Sequence, residues 1–165
     1  MSNDQIEQLE KRISLLEDEA KIRSLVSSFA DAITRANYED IPSLFDKTAR
    51  FQIHHPANVS CNGIKETMGL LDKLRSSKDF FVHFIHSGEV VINGETAEGR
   101  FIIHEVGMGK PSSFYNTYVT ASDSFRRRGK SWVFTERVFD YIWLDTKPFS
   151  GDAFKLPVLK TLSAR

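Results

Sequence analysis

Apolar positions recur at helical spacing through the first part of the chain. Ile6, Leu9, Ile13 and Leu16 alternate spacings of three and four, and Ile22, Leu25, Val26, Phe29, Ala30 and Ile33 continue the stripe more broadly. The pattern predicts helix over 4–36. Its first part is a narrow seam of about one and a half heptads, able to pack on its own domain or on a twin subunit. The second part is wide enough to cover a sheet. Asp18 has the character of a helix cap, which predicts a break near residues 16–18. A short helix is expected within 38–47, a strand over 49–55 stopped by Pro56, and a helix over 63–76 carrying Ile64, Met68, Leu71 and Leu74.

Beyond residue 80 the period changes to two. Four strands are predicted, at 80–92, 96–108, 114–127 and 131–144. Asn93-Gly94 joins the first two, because both residues tolerate the positive φ of a type I′ turn. Gly129, between Arg128 and Lys130, makes the last hairpin turn. Helices followed by an antiparallel meander give an α+β domain over 1–145, with an irregular tail at 146–165. The expected architecture is a cone-shaped, curved antiparallel sheet wrapped on the N-terminal helices. A sheet bent that strongly and closed by a helix leaves a pocket inside.

Composition narrows the function classes. Lys+Arg and Asp+Glu number 22 each, so no net field draws the chain to nucleic acid or an anionic membrane. The single Cys61 excludes an intrachain disulfide and a multi-cysteine zinc site, and it fits a reducing cytoplasm. The polar, acidic start is not a secretory signal, and no apolar run is long enough to span a membrane. The thirteen Phe point either to a large aromatic core or to an aromatic-lined cavity.

Several stretches in order resemble the SnoaL-like members of the nuclear transport factor 2-like superfamily. They are LEDEAKIRSLVSSFADAI, NYEDIPSLF, Ala49-Arg50-Phe51, His83-Phe84-Ile85, INGETAEGRF and SFRRRGKSWVFTER, together spanning roughly 15–140. The resemblance implies a cone-shaped α+β barrel with a deep apolar pocket, and a dimer or trimer. Residues 83–85 and 30–33 are also similar to the scytalone dehydratases, where His83 falls on a catalytic histidine. Departures accompany the likeness. Thr34 stands where many relatives carry an acid, and Ile53 or His54 meets the dehydratase tyrosine of the first strand. The second dehydratase histidine falls nearer Gly107 than His104.

Strand parity ranks the candidate residues. His83 shares a face with Ile85, and an imidazole in an apolar pocket accepts or donates protons near neutrality. Glu105 shares a face with Ala97, Gly99, Phe101 and Ile103, which leaves His104 outside; a bulge would exchange the two. The small Ala97 and Gly99 suit close approach of the covering helix. Glu136 shares parity with Trp132 and Phe134, either as a buried acid or in a salt bridge to Arg35, Arg126 or Arg137. Tyr118 either supplies a phenol or fills space. The expected pocket wall is Phe29, Ile33, Thr34, Phe51, Ile53, Phe101, Trp132 and Phe134. His54 and His55 diverge as strand neighbours, and no ligand spacing or Gly-rich phosphate loop is present, so neither metal nor cofactor is expected.

These features favour a cofactor-independent dehydratase, isomerase or cyclase acting on an apolar, oxygenated small molecule. The alternatives are a non-catalytic binding module of the same fold and a structural protomer assembled through its first helix. The expected partners are the small molecule and a second copy of the chain, with no nucleic acid and no membrane.

Overall fold

A computed structural model of the protein describes residues 2–109 and 113–148. The N-terminal helix α1 (Asn3–Arg35) opens with a capping box. The Ser2 hydroxyl accepts from the Gln5 amide at 3.3 Å, and the Ser2 amide donates to the Gln5 side chain at 2.9 Å. These bonds satisfy two donors that a helix start leaves orphaned. The expected break near residue 17 is absent, because Asp18 caps nothing and is instead buried. Its carboxylate accepts two hydrogen bonds from the Arg127 guanidinium, at 2.9 and 2.6 Å, and one from the Trp132 indole at 3.1 Å. That clamp fastens the middle of α1 to the last hairpin. Before it, Ile6, Leu9, Ile13 and Leu16 are exposed; after it, Ile22, Leu25, Val26, Phe29, Ala30 and Ile33 are buried.

A short helix α2 (Ile41–Leu44) leads into strand β1 (Phe45–Ile53), and β2 (Val59–Asn62) folds back on it. The sequence reading missed β2, whose four residues are too few and too polar to show a period. Helix α3 (Ile64–Ser76) follows, then the four long strands β3 (Lys78–Asn93), β4 (Thr96–Gly109), β5 (Ser113–Arg128) and β6 (Ser131–Asp145). The expected tail beyond 145 is irregular through 148 and otherwise lies outside the described residues.

The six strands form one sheet in the order β2-β1-β6-β5-β4-β3, open at β2 and β3. It is mixed rather than wholly antiparallel, since β1 runs parallel to β6. Hairpins force antiparallel neighbours, but β1 and β6 are joined by a long excursion that permits either direction. Helix α1 packs across β3 and β6, while α3 packs on β1, β2 and β3. The aromatic-rich core lies between these helices and the concave face.

Bulges set the curvature and redistribute side chains. Register shifts fall between Ile85 and Gly88 on β3, and opposite the Tyr118–Val119 and Ser124–Phe125 steps of β5. Phe125 pairs with Phe134 but Ser124 pairs with Glu136, so Thr135 is the extra residue. From there Arg137 and Phe139 turn inward and Glu136 outward. At Gly88 a Cβ would lie 2.1 Å from the Phe101 ring, so only a glycine lets β3 rest on that ring. Gly99 serves the same Phe101, whose ring lies 2.7 Å from where a Cβ would be. Gly99, expected to admit the covering helix, thus admits phenylalanines of the sheet instead.

The Arg127 hydrogen bonds hold the Asp18 carboxyl down at about 2. A depressed carboxyl stabilises the fold above its unfolded value near 4, and that contribution disappears as pH falls through the folded value. Asp18→Asn should cost about 1–2 kcal/mol at pH 7, because the partly exposed Arg127 screens the pair. In urea melts the gap from wild type should close between about pH 4 and pH 2. A gap that is constant over that window would contradict the assignment.

Candidate active site

His83 and Glu105 are direct cross-strand partners on the concave face. Both are nearly inaccessible, at 5% and 7% exposure. The outer edge of β3 is open, and there the Thr34 hydroxyl of α1 accepts from the His83 amide at 3.0 Å and donates to the His83 carbonyl at 3.4 Å. With both backbone groups of His83 turned to that edge, His83 and Glu105 form a narrow pair, the kind whose side chains lie closer together. The imidazole Nδ1 is 2.8 Å from Glu105 Oε1. Tyr115 donates its O–H to Glu105 Oε2 at 2.9 Å, and its oxygen is 3.2 Å from that of Tyr141.

The carboxylate of Glu105 therefore takes one donor on each oxygen. This orients the imidazole with Nδ1–H toward Glu105 and leaves Nε2 as the acceptor nitrogen. Nε2 is buried without a hydrogen-bond partner in the protein. Phe29 meets the His83 ring edge-on at 5.8 Å between centroids, and Phe139 lies on another side at 6.2 Å. Burial first, and then the charge of Glu105, push the Tyr115 phenol far above its ordinary value. Burial also raises Tyr141. Both phenols stay protonated donors at neutral pH.

These groups form one wall of a cavity of about 190 Å³. Phe29, Ile33, Phe51 and Ile53 line it, with Leu70, Leu71, Val119 and Phe139. Exposed Ala57 and Leu74 mark its mouth. The lining is almost wholly apolar apart from His83, Glu105, Tyr115, Tyr141 and Lys78.

Other residues named from the sequence lie elsewhere. Phe101 and Phe134 are sealed in the core beyond the cavity, and Trp132 is spent on Asp18. Thr34 holds backbone rather than lining the space. His104 and Tyr118 are on the convex face, where their rings stack at 4.3 Å and His104 Nε2 lies 2.9 Å from the Asn116 side chain. Glu136 is also outside, 3.1 Å from Arg50, its cross-strand partner, and pairs with none of the three arginines expected. The bulge at Thr135 moved it there. His54 and His55 are exposed, and His54 lies 2.7 Å from Asp140.

Three features escaped the sequence reading. Tyr115 has the parity of Thr117, Val119 and Ala121, all buried, so its inward direction was legible. Tyr141 was not, because bulges on both sides of it reset the parity of β6. Asp123 and Arg137, cross-strand partners with fully buried side chains, form a bidentate pair at 2.8 and 3.1 Å. The guanidinium lies 4.4 Å from the centroids of Phe29 and Phe134. Burial raises the Asp123 carboxyl while Arg137 pulls it back.

The comparisons with known proteins accord with this architecture. The profile of the SnoaL-like domain matches residues 14–138. The chain belongs to the SnoaL-like domain family. This SnoaL-like domain is also similar to several solved structures. A hexachlorocyclohexane dehydrochlorinase, LinA-type3 from Novosphingobium barchaimii LL02, is 14% identical with a TM-score of 0.75, over 88% of this chain and 99% of that one. A scytalone-dehydratase-like protein from Novosphingobium aromaticivorans DSM 12444 is 11% identical with a TM-score of 0.75, over 84% and 93%. A nuclear-transport-factor-2-like protein with a cystatin-like fold, from Novosphingobium aromaticivorans, is 20% identical with a TM-score of 0.73, over 86% and 92%. At these identities the likeness is one of fold. No curated protein matches the chain in sequence.

The buried Asp123–Arg137 pair generates a stability prediction. Asp123→Ala strands a guanidinium in the core and should cost roughly 3–5 kcal/mol in chemical denaturation. The double variant Asp123→Leu/Arg137→Met removes both charges and should recover most of that loss. A double variant no more stable than Asp123→Ala would show that packing, not charge, dominates there.

Proposed function

We propose that this SnoaL-like domain is a cofactor-independent acid–base enzyme of the dehydratase, isomerase or cyclase type. Its substrate is an apolar, oxygenated small molecule. The observation that carries the reading is the state of His83: Nδ1 is held by Glu105, while Nε2 is buried, unpartnered and on a residue that lines the cavity. A core histidine with a purely structural role would be expected to satisfy both nitrogens.

In this reading His83 Nε2 accepts a proton from a carbon beside a carbonyl or hydroxyl-bearing centre. Glu105 stabilises the imidazolium that forms and keeps the ring in its reactive orientation. The phenol of Tyr141 donates to the substrate oxygen as negative charge grows there, while the Tyr115 O–H stays on Glu105. His83 then returns the proton, to a leaving hydroxyl in a dehydration or to another carbon in an isomerisation or ring closure. Phe29, Phe51 and Phe139 exclude water and restrict the substrate's orientation. No step calls for a cofactor. The aspartate–histidine arrangement that the resemblance implies is replaced by a glutamate from the adjacent strand, which supplies the acid that Thr34 does not.

A screen of cyclic ketones and hydroxylated aromatics with purified protein tests the reading. His83→Ala should lower turnover by about 10²-fold or more while the circular dichroism spectrum is retained. Glu105→Gln should lower kcat more than it raises KM, since it disturbs the ring's orientation rather than the apolar wall. Binding without turnover, unchanged in His83→Ala, would leave the binding module as the better reading.

The exposed seam of Ile6, Leu9, Ile13 and Leu16 supports self-association into a homodimer or trimer. A monomer by light scattering at micromolar concentration would overturn it.

A further inference from the structure

The cavity contains a cation that the proton-transfer scheme does not use. Lys78 begins β3, is partly buried, and lines the cavity with Leu74, Phe81 and Tyr115. Among the described residues its ammonium has a single hydrogen-bond partner, the Ser113 hydroxyl at 3.4 Å, and it lies 5.8 Å from the Tyr115 ring centroid. No described carboxylate forms an ion pair with it, although most cations of this chain that approach a carboxylate do so at the surface. An ammonium turned along an apolar wall, with no counter-ion among the described residues, is poorly served by a neutral, hydrocarbon-like ligand. It is well served by an anionic oxygen, through a charge-assisted hydrogen bond in a setting of reduced dielectric.

Tyr115 separates the two charged ends of the site. Its hydroxyl is bonded to Glu105 beside His83, and its ring faces Lys78. The cavity is therefore polarised, with the carboxylate at its buried end and the ammonium toward the mouth. A bound molecule carrying one negative group would be drawn in a single orientation, with its uncharged end against His83 and its charge on Lys78. Size limits the body of that molecule. A dry cavity of about 150 Å³ accommodates benzene. The roughly 190 Å³ present here suits one ring, or an alicyclic of similar bulk, with a short substituent.

We infer that Lys78 is a specificity-determining residue, and that the cavity takes a small apolar monocarboxylate whose carboxylate pairs with the Lys78 ammonium. This rests on the acid–base reading for what happens at the other end of the molecule, but the binding preference is measurable without turnover.

The test is isothermal titration of 3-phenylpropanoate and of its neutral amide. Wild type should bind the carboxylate about tenfold or more tightly than the amide, as expected for one charge-assisted bond. Lys78→Met should abolish that preference while keeping the amide's affinity within about twofold, and Lys78→Arg should restore much of it. Equal affinities in wild type, a preference that survives Lys78→Met, or binding of neither probe at millimolar concentration would overturn the inference. Circular dichroism of each variant checks that the fold persists. The two readings fail separately. Loss of selectivity leaves His83→Ala free to abolish turnover, and selective binding persists even if no carboxylic acid is converted.

Discussion

A carboxylate removed from water must be given donors, and the concave side of this fold is organised around that requirement. Asp18 is answered by Arg127 and Trp132, Asp123 by Arg137, and Glu105 by His83 and Tyr115. Each set bridges segments far apart in sequence or fixes the register of adjacent strands. The first ties α1 to the last hairpin and places the helix across the sheet. The second pins β5 to β6 beneath the aromatic core. The third builds the site. Structural and chemical roles thus come from one rule, that buried charge must be paired and hydrogen-bonded. The second and third sets each leave one nitrogen without a partner, Arg137 Nη1 and His83 Nε2, and what distinguishes the third is that its histidine lines the cavity.

The cavity exists because the sheet bends, and the sheet bends at its bulges. An extra residue on one strand increases local twist and exchanges the faces of everything beyond it. The irregularity near Gly88 folds the edge strand over Phe101, and the one at Thr135 brings Arg137, Phe139 and Tyr141 inward. Curvature and site composition are therefore set by the same few residues. Thr34 completes the arrangement at the open edge of β3. There it gives the His83 backbone the partners that a further strand would have supplied.

Within the SnoaL-like family, the pairing of the histidine differs here from what the resemblance implies. Thr34 stands where the resemblance implies an acid and holds the His83 backbone, while Glu105 on β4 reaches the ring. The acceptor that orients a histidine can come from either neighbouring element, provided it approaches Nδ1 and leaves Nε2 free. Fold likeness at under a quarter identity does not choose a substrate. The features that bear on substrate are local: two protonated phenols, an apolar wall, and a lysine with no carboxylate partner among the described residues.

Periodicity gave the order of the helices and of every strand but β2. The turn residues Asn93-Gly94 and Gly129 gave the two hairpins and with them the α+β class. Parity put His83 with Ile85 and opposed Glu105 to His104, leaving which of those two faces inward to the bulges. These follow from spacings of 3.6 and two, which the chain expresses locally. Tertiary structure decided the rest. Whether Asp18 breaks a helix or clamps one depends on Arg127, 109 residues away. Whether Glu136 or Arg137 faces the core depends on one unpaired residue in β6, a feature no local pattern announces. The parallel pairing of β1 with β6 brings together segments that share no turn. Phe101, Phe134 and Trp132 are as aromatic as Phe29 and Phe51. Only three-dimensional packing separates the rings that fill the core from those that leave space for a ligand, because composition is a property of residues and a cavity is a property of their arrangement.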